Sequence, residues 1–150
     1  MRAIVQRVSK ASIVTSSGHS DEIGMGLLIF LGIEEADSEE DIQWLSNKII
    51  NLRIFSDDDG IMNLSLKEIA GECMIVSQFT LHASIKKGNR PSYIKAARPE
   101  TAIPLYEKFI QIMQIRCDKI PAKGVFGDHM DISLVNDGPV TIIIDTKNKE

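Results

Sequence analysis

From Met25 to Ile33 the chain is a continuous apolar run, Met-Gly-Leu-Leu-Ile-Phe-Leu-Gly-Ile, bracketed by Gly24 and Gly32. It shows no alternation of apolar and polar residues. A strand with that composition is buried on both faces, so its sheet needs cover on each side. The run is far too short to cross a bilayer, and residues 1–8 lack the apolar stretch of a signal peptide. Two cysteines, Cys73 and Cys117, make no disulfide framework. A soluble, cytoplasmic protein is expected, with one domain over residues 1–150.

Around this run the patterning is mixed. Residues 3–8 and 11–15 are rich in β-branched residues and read as strands, or as one long strand bent near Ser9-Lys10. Ser38 opens a helix as N-cap, and Glu39, Glu40 and Asp41 place negative charge in its first turn. Ile42, Leu45, Ile49 and Leu52 give that helix one apolar face, which should end near Arg53. Pro99 suits the first position of a second helix, with Ile103, Tyr106, Phe109, Ile110 and Met113 on its inner face. Short strands are expected at Ile54-Phe55, around Ile120, and over 132–135 and 140–145. Asp57-Asp58-Asp59-Gly60 fails as a calcium loop, because Gly60 at the sixth position puts Phe55 at the first; a hairpin turn fits better. Lys123-Gly124-Val125-Phe126-Gly127 lacks the Gly-Lys-Ser/Thr ending of a phosphate loop. Strands at both ends and in the middle, with two helices between, indicate an α+β fold.

Two stretches carry candidate chemistry. Cys73 to Val76 is apolar enough for a buried strand, but Ser77, Gln78, Phe79 and Thr80 then bring three hydrogen-bonding side chains. Burying such groups unpaired costs about 1–3 kcal/mol each, so the strand either runs out into a solvated loop or ends in a site. Farther on, Asn136-Asp137-Gly138-Pro139-Val140-Thr141 reads as a hairpin turn, yet Pro139 removes a ladder donor from the strand that follows. Between them, residues 84–98 hold Lys86, Lys87, Arg90, Lys95 and Arg98 and no acid, on a chain whose net charge is −4. That segment is either a solvated loop or a local contact for phosphates. The overall charge argues against a protein that coats nucleic acid nonspecifically.

Ser77-Gln78-Phe79-Thr80-Leu81 and Asn136-Asp137-Gly138-Pro139-Val140-Thr141 together resemble the two signatures of the D-aminoacyl-tRNA deacylases. Residues 1–8, Gly26-Leu27-Leu28, Leu52-Arg53-Ile54-Phe55, Lys87-Gly88-Asn89-Arg90-Pro91-Ser92 and Phe126-Gly127 look like family positions as well. Departures fall at His82-Ala83-Ser84 (usually an aromatic residue, Ala and Asp), at Cys117 (usually Gly), at Pro121-Ala122-Lys123 and at Asp128-His129. Neither signature is touched. The resemblance implies mixed and antiparallel sheets with two main helices packed on one face, in three layers α/β/β. It implies hydrolysis of the ester joining a D-amino acid to the terminal adenosine of tRNA, with glycyl-tRNA as a further substrate. It also implies a homodimer in which a cis Gly138-Pro139 reaches into the partner's pocket.

An ester hydrolase must stabilise an oxyanion, and the backbone amides of Phe79 and Thr80 are the candidates. Thr80 as nucleophile needs an activating base, and His19, His82 and His129 have no triad-like local signature. No metal-ligand spacing is present, and no cofactor is expected. Ser77, Gln78, Phe79 and Thr80 are therefore the candidate catalytic set, with Gln78 and Thr80 as positioning groups and the ribose 2′-hydroxyl assisting water. Gly138 and Pro139 would sense chirality through rigid carbonyls. Lys86, Lys87 and Arg90 would hold the tRNA. Two alternatives stand beside this reading: a non-catalytic tRNA-end-binding domain, and a hydrolase that uses Thr80 covalently.

Overall fold

The computed structural model describes residues 1–149. The apolar run at 25–33 forms strand β3 (Gly26–Gly32), which lies between β1 (Arg2–Thr15) and β6 (Glu72–Ser77). Its alternate side chains enter two different cores, as the strand period of two requires. Leu27, Ile29 and Leu31 join the helix-side core with Ile42, Leu45, Ile49, Phe109 and Met113. Leu28 joins a second core with Val8, Ala11, Ile13, Ile23, Met74 and Val76.

β1 is the spine of the sheet. Along one edge its first half pairs antiparallel with β3, from Arg2 opposite Gly32 to Val8 opposite Gly26. Its second half pairs with β2 (Ser20–Ile23). Its other edge pairs for nearly its whole length with β8 (Met130–Asp145). The bend expected near Ser9-Lys10 is present: the β1–β8 register shifts between Gln6 and Val8 and again between Val8 and Lys10. The bend folds the distal half of β1, with β2 and the start of β8, over the β3–β6 face and closes the second core beneath it. β3–β6 and β6–β7 (Ala122–Lys123) are parallel pairs. Each parallel step needs a crossover, supplied by α1 (Glu39–Ile50) and α2 (Pro99–Cys117). Both helices cover the same face of the sheet, giving the α/β/β layering.

Local signals account for the helix ends. The Ser38 backbone N–H donates to the Asp41 carboxylate at 2.9 Å, a capping interaction that satisfies a donor at the helix start. Pro99 occupies the first turn of α2, and the helix stops at Asp118, whose φ of 54° lies in the left-handed region. β4 (Phe55–Ser56) and β5 (Met62–Leu64) form the hairpin expected around Asp57–Gly60, closed by the Gly60 N–H to the Asp57 carbonyl at 3.0 Å. Among the described residues no helix is long and apolar enough to cross a membrane.

Four expectations need correction. α1 ends at Ile50, so Leu52 packs from the segment after it rather than from the helix. In α2 it is Ala102, not Ile103, that is buried, since the arc facing the sheet begins one residue earlier. Ile120 lies outside any strand and is largely exposed; the short strand is Ala122–Lys123. The segments at 132–135 and 140–145 are one strand, β8, and the residues between them make no hairpin.

Candidate active site

β6 is buried from Cys73 to Val76 and becomes half-exposed at Ser77. The Gln78 N–H still donates to the Leu31 carbonyl at 2.8 Å, which extends the β3–β6 pairing by one bond. The chain then turns into one 3₁₀ turn, Phe79–His82. The first amides of any helical turn have no partner within it. Here the first N–H to bond back is that of Leu81, to the Gln78 carbonyl at 3.3 Å. Among the described residues the N–H groups of Phe79 and Thr80 make no hydrogen bond. Two adjacent, unclaimed amide donors therefore sit at the end of a buried strand.

The side chains around them are arranged to hold the turn. Gln78 Nε2 donates to Thr80 Oγ1 at 2.5 Å. A carboxamide is no base at neutral pH, so this contact orients the hydroxyl and does not activate it. Arg2 Nη1 donates to the Leu81 carbonyl at 2.7 Å, and its Nε and Nη2 reach Asp145 at 3.0 and 2.8 Å. The guanidinium thus pins the turn to the paired ends of β1 and β8. His82 points inward and is buried, and its Nε2 has no hydrogen-bond partner.

Phe79 is 55% exposed. Its ring meets that of Tyr93 edge-on, with centroids 5.0 Å apart and planes at 74°. That contact brings the basic segment beside the turn. Reciprocal backbone bonds between Ser84 and Ser92, at 2.8 and 2.9 Å, close a loop whose outer part carries Lys86, Lys87 and Arg90, all exposed.

The second signature is a protrusion from β8. Thr141 stands opposite Gln6 and Asn136 opposite Val8, so residues 137–140 have only Arg7 across from them. This four-for-one mismatch is an extended β-bulge. The Asn136 side chain bridges its base, donating to the Val140 carbonyl at 3.1 Å and accepting from the Val140 N–H at 3.0 Å. Gly138 has φ 148°, and a Cβ there would lie 2.6 Å from the Val140 nitrogen, so only glycine fits. The Gly138–Pro139 peptide is cis. Beneath it Arg7, buried, donates through Nε to the Asp137 carbonyl at 2.9 Å and through Nη1 to the Ile54 carbonyl at 2.5 Å. It also pairs with the Asp137 carboxylate at 3.1 Å.

The structure thus brings Ser77, Gln78, Phe79 and Thr80 together, with the basic loop adjacent. Among the described residues no hydrogen bond or ring contact joins Gly138 or Pro139 to them within one chain. Arg2 contacts the 3₁₀ turn and Arg7 the bulge, and the five residue steps of extended β1 from one to the other correspond to roughly 16 Å. Arg2 and Arg7 are positioning residues that sequence reading missed. An arginine in an otherwise β-branched strand was the available signal, because a buried guanidinium requires partners. Among the described residues no cluster of His, Cys, Asp and Glu is gathered to hold a metal.

Comparison with known proteins decides the family. The family model described as D-Tyr-tRNA(Tyr) deacylase matches residues 4–145. The chain belongs to the D-Tyr-tRNA(Tyr) deacylase family. It is 58% identical over 150 residues to a D-aminoacyl-tRNA deacylase of Flavobacterium psychrophilum, covering all of both chains. It is 57% identical over the same span to one of Bacteroides thetaiotaomicron. A solved structure described as c-Myc DNA unwinding element binding protein superposes with a TM-score of 0.89 at 35% identity, covering 97% of this chain and 99% of that one. Another, described as a probable eukaryotic D-amino acid tRNA deacylase, gives 0.80 at 15% identity, with 95% and 97% covered. At that identity it shows the shared fold alone.

Proposed function

We propose that this chain hydrolyses the ester bond of D-aminoacyl-tRNA, and glycyl-tRNA with it, releasing the free amino acid and intact tRNA, and that it does so as a homodimer. The observation that carries the reading is the pair of unclaimed amides of Phe79 and Thr80. Water attacks the ester carbonyl carbon, with the neighbouring ribose 2′-hydroxyl assisting. The carbonyl oxygen takes up negative charge and is received by the two N–H donors, which cost no reorganisation because the 3₁₀ turn already holds them. The carbon–oxygen bond to the ribose then breaks, and the leaving oxygen takes a proton. Among the described residues the side-chain hydrogen bond to Thr80 Oγ1 comes from the Gln78 carboxamide, which is no base, so a covalent acyl-threonine is disfavoured. Ser77, Gln78 and Thr80 shape the pocket.

Chirality is read by Gly138 and Pro139 of a second copy. The bulge and the 3₁₀ turn of one chain are held by arginines about 16 Å apart along β1, whereas a two-fold copy can present its bulge to the other turn. Backbone carbonyls there accept hydrogen bonds from the substrate's amino group and leave room for a D side chain only. This selection ignores side-chain identity. Lys86, Lys87 and Arg90 meet the phosphates of the tRNA end.

The test uses purified protein with D-tyrosyl-, glycyl- and L-tyrosyl-tRNA. Cleavage of the first two and sparing of the third by about 100-fold or more, a scale that binding discrimination readily supplies, is expected. Thr80→Ala should lose less than about tenfold, because amides rather than the hydroxyl carry the charge. Equal cleavage of the two tyrosyl esters refutes the chirality device. Binding without cleavage leaves a tRNA-end-binding protein. An acyl group trapped on Thr80 establishes the covalent route.

A further inference from the structure

We propose that Cys73 and Cys117 form a redox-modification site, in which a peroxide oxidises Cys117 and Cys73 then closes a disulfide onto it. Cys73 lies near the start of β6 and is 3% exposed; Cys117 is the last residue of α2 and is half-buried. Their sulfurs are 3.9 Å apart although 44 positions separate them in sequence. Reaching a disulfide length of about 2.05 Å requires the sulfurs to approach by roughly 2 Å. The movement falls on Cys117, since β6 is locked between β3 and β7 while α2 ends at the left-handed Asp118.

The two thiols have different parts. Solvent reaches Cys117, so the peroxide meets it first. A hydrogen bond from the Cys73 thiol lowers the Cys117 pKa against the opposing effect of burial, and the Lys119 ammonium helps. The C-terminal end of α2 opposes it. Cys73 is pushed up, first by that hydrogen bond and then by burial, with the Glu72 carboxylate adding to it. Cys117 is therefore the attacking sulfur and Cys73 the resolving one. In the first step the Cys117 thiolate displaces hydroxide from hydrogen peroxide and becomes a sulfenic acid. In the second, Cys73 attacks that sulfur, the sulfur–sulfur bond forms and water leaves. Two thiols and one peroxide give one disulfide and two waters, and a dithiol reductant reverses the change.

The bridge would tie the end of α2 to the start of the strand that delivers Ser77. The test is a mass measurement on the reduced full chain treated with hydrogen peroxide, followed by non-reducing peptide mapping. A mass lower by two hydrogens, a Cys73–Cys117 peptide pair, reversal by dithiothreitol and a melting temperature higher by several degrees are expected. Cys73→Ala should accumulate a sulfenic acid on Cys117 that a cyclic 1,3-dione traps, and Cys117→Ala should leave Cys73 reduced. Oxygen added to Cys117 while Cys73 stays free, or two unreacted thiols, overturns the proposal. Should Cys73→Ala fail to fold, the wild-type map and Cys117→Ala decide alone. None of these readouts depends on deacylation, so this site and the proposed activity stand or fall separately.

Discussion

Replacing Arg7 by methionine tests whether the Gly138–Pro139 bulge is held from below. Methionine keeps most of the volume and removes the guanidinium. The Ile54 carbonyl, bonded to Arg7 Nη1 inside the core, then has no partner, at a cost of about 1–3 kcal/mol. The Asp137 carbonyl loses the Nε bond but sits on an exposed residue that water can reach. The ion pair adds little: the Asp137 side chain is 49% exposed, and such a pair contributes at most about 1 kcal/mol. The total is near 3 kcal/mol, which for a chain of this size is a fall in melting temperature of roughly 6–12 °C. Activity should fall further than stability does. At 25 °C the variant is still folded, yet a bulge displaced by about 1 Å can cost about 100-fold in rate. Thermal melting and deacylation of D- and L-tyrosyl-tRNA, measured on the same preparation, separate the two effects. Asp137→Ala, which removes only the half-exposed carboxylate, should change both far less. If Arg7→Met melts lower but keeps full rate and full D-over-L preference, Arg7 is a core residue and nothing more. If it changes neither, the geometry assigned to Arg7 is wrong.

Three further outcomes are expected. Alanine at Lys86, Lys87 or Arg90 should weaken tRNA binding and reduce the salt slope by about one for each phosphate that the side chain had neutralised; no change in either marks a purely solvated loop. Gly26→Ala should cost more than about 4 kcal/mol, because its Cβ would lie 1.8 Å from the Glu72 backbone oxygen; a variant melting within about 2 °C of the parent refutes that close approach. Burial works to raise the Asp41 pKa, but hydrogen bonds from Lys147, Thr146 and the Ser38 N–H outweigh it and hold the carboxylate well below its usual range. A depressed folded pKa gives stability that is complete above the unfolded value near ~4 and is lost as pH falls through the folded one. Acid unfolding of Asp41→Asn should therefore be shallower below about pH 4; an identical slope refutes it.

What the sequence showed and what it hid follow from range. β3, α1 and the polar end of β6 rest on periodicity, capping and burial within a dozen residues, and all were legible. The bulge was hidden because Asp137-Gly138 has good hairpin chemistry, and only pairing with β1, some 130 positions earlier, tells a bulge from a turn. The roles of Arg2 and Arg7 were hidden for the same reason. So was the approach of Cys73 to Cys117. The free amides of Phe79 and Thr80 were foreseen as a possibility at the strand end, but the 3₁₀ turn that leaves them unbonded was not.

The sheet's spine also governs how the molecule is made. β1 finds its longest partner in β8, which leaves the ribosome only after roughly 115 further residues, about 6–23 s at ordinary elongation rates of 5–20 residues per second. Through that interval one edge of a 14-residue strand is an open template for pairing with a neighbouring nascent chain. Such long-range pairing makes the contact order high and folding slow, on the order of milliseconds to seconds once synthesis is complete. Yield in cells should therefore respond to translation speed and to chaperones that shield strand edges, even for variants whose finished fold is as stable as the parent's.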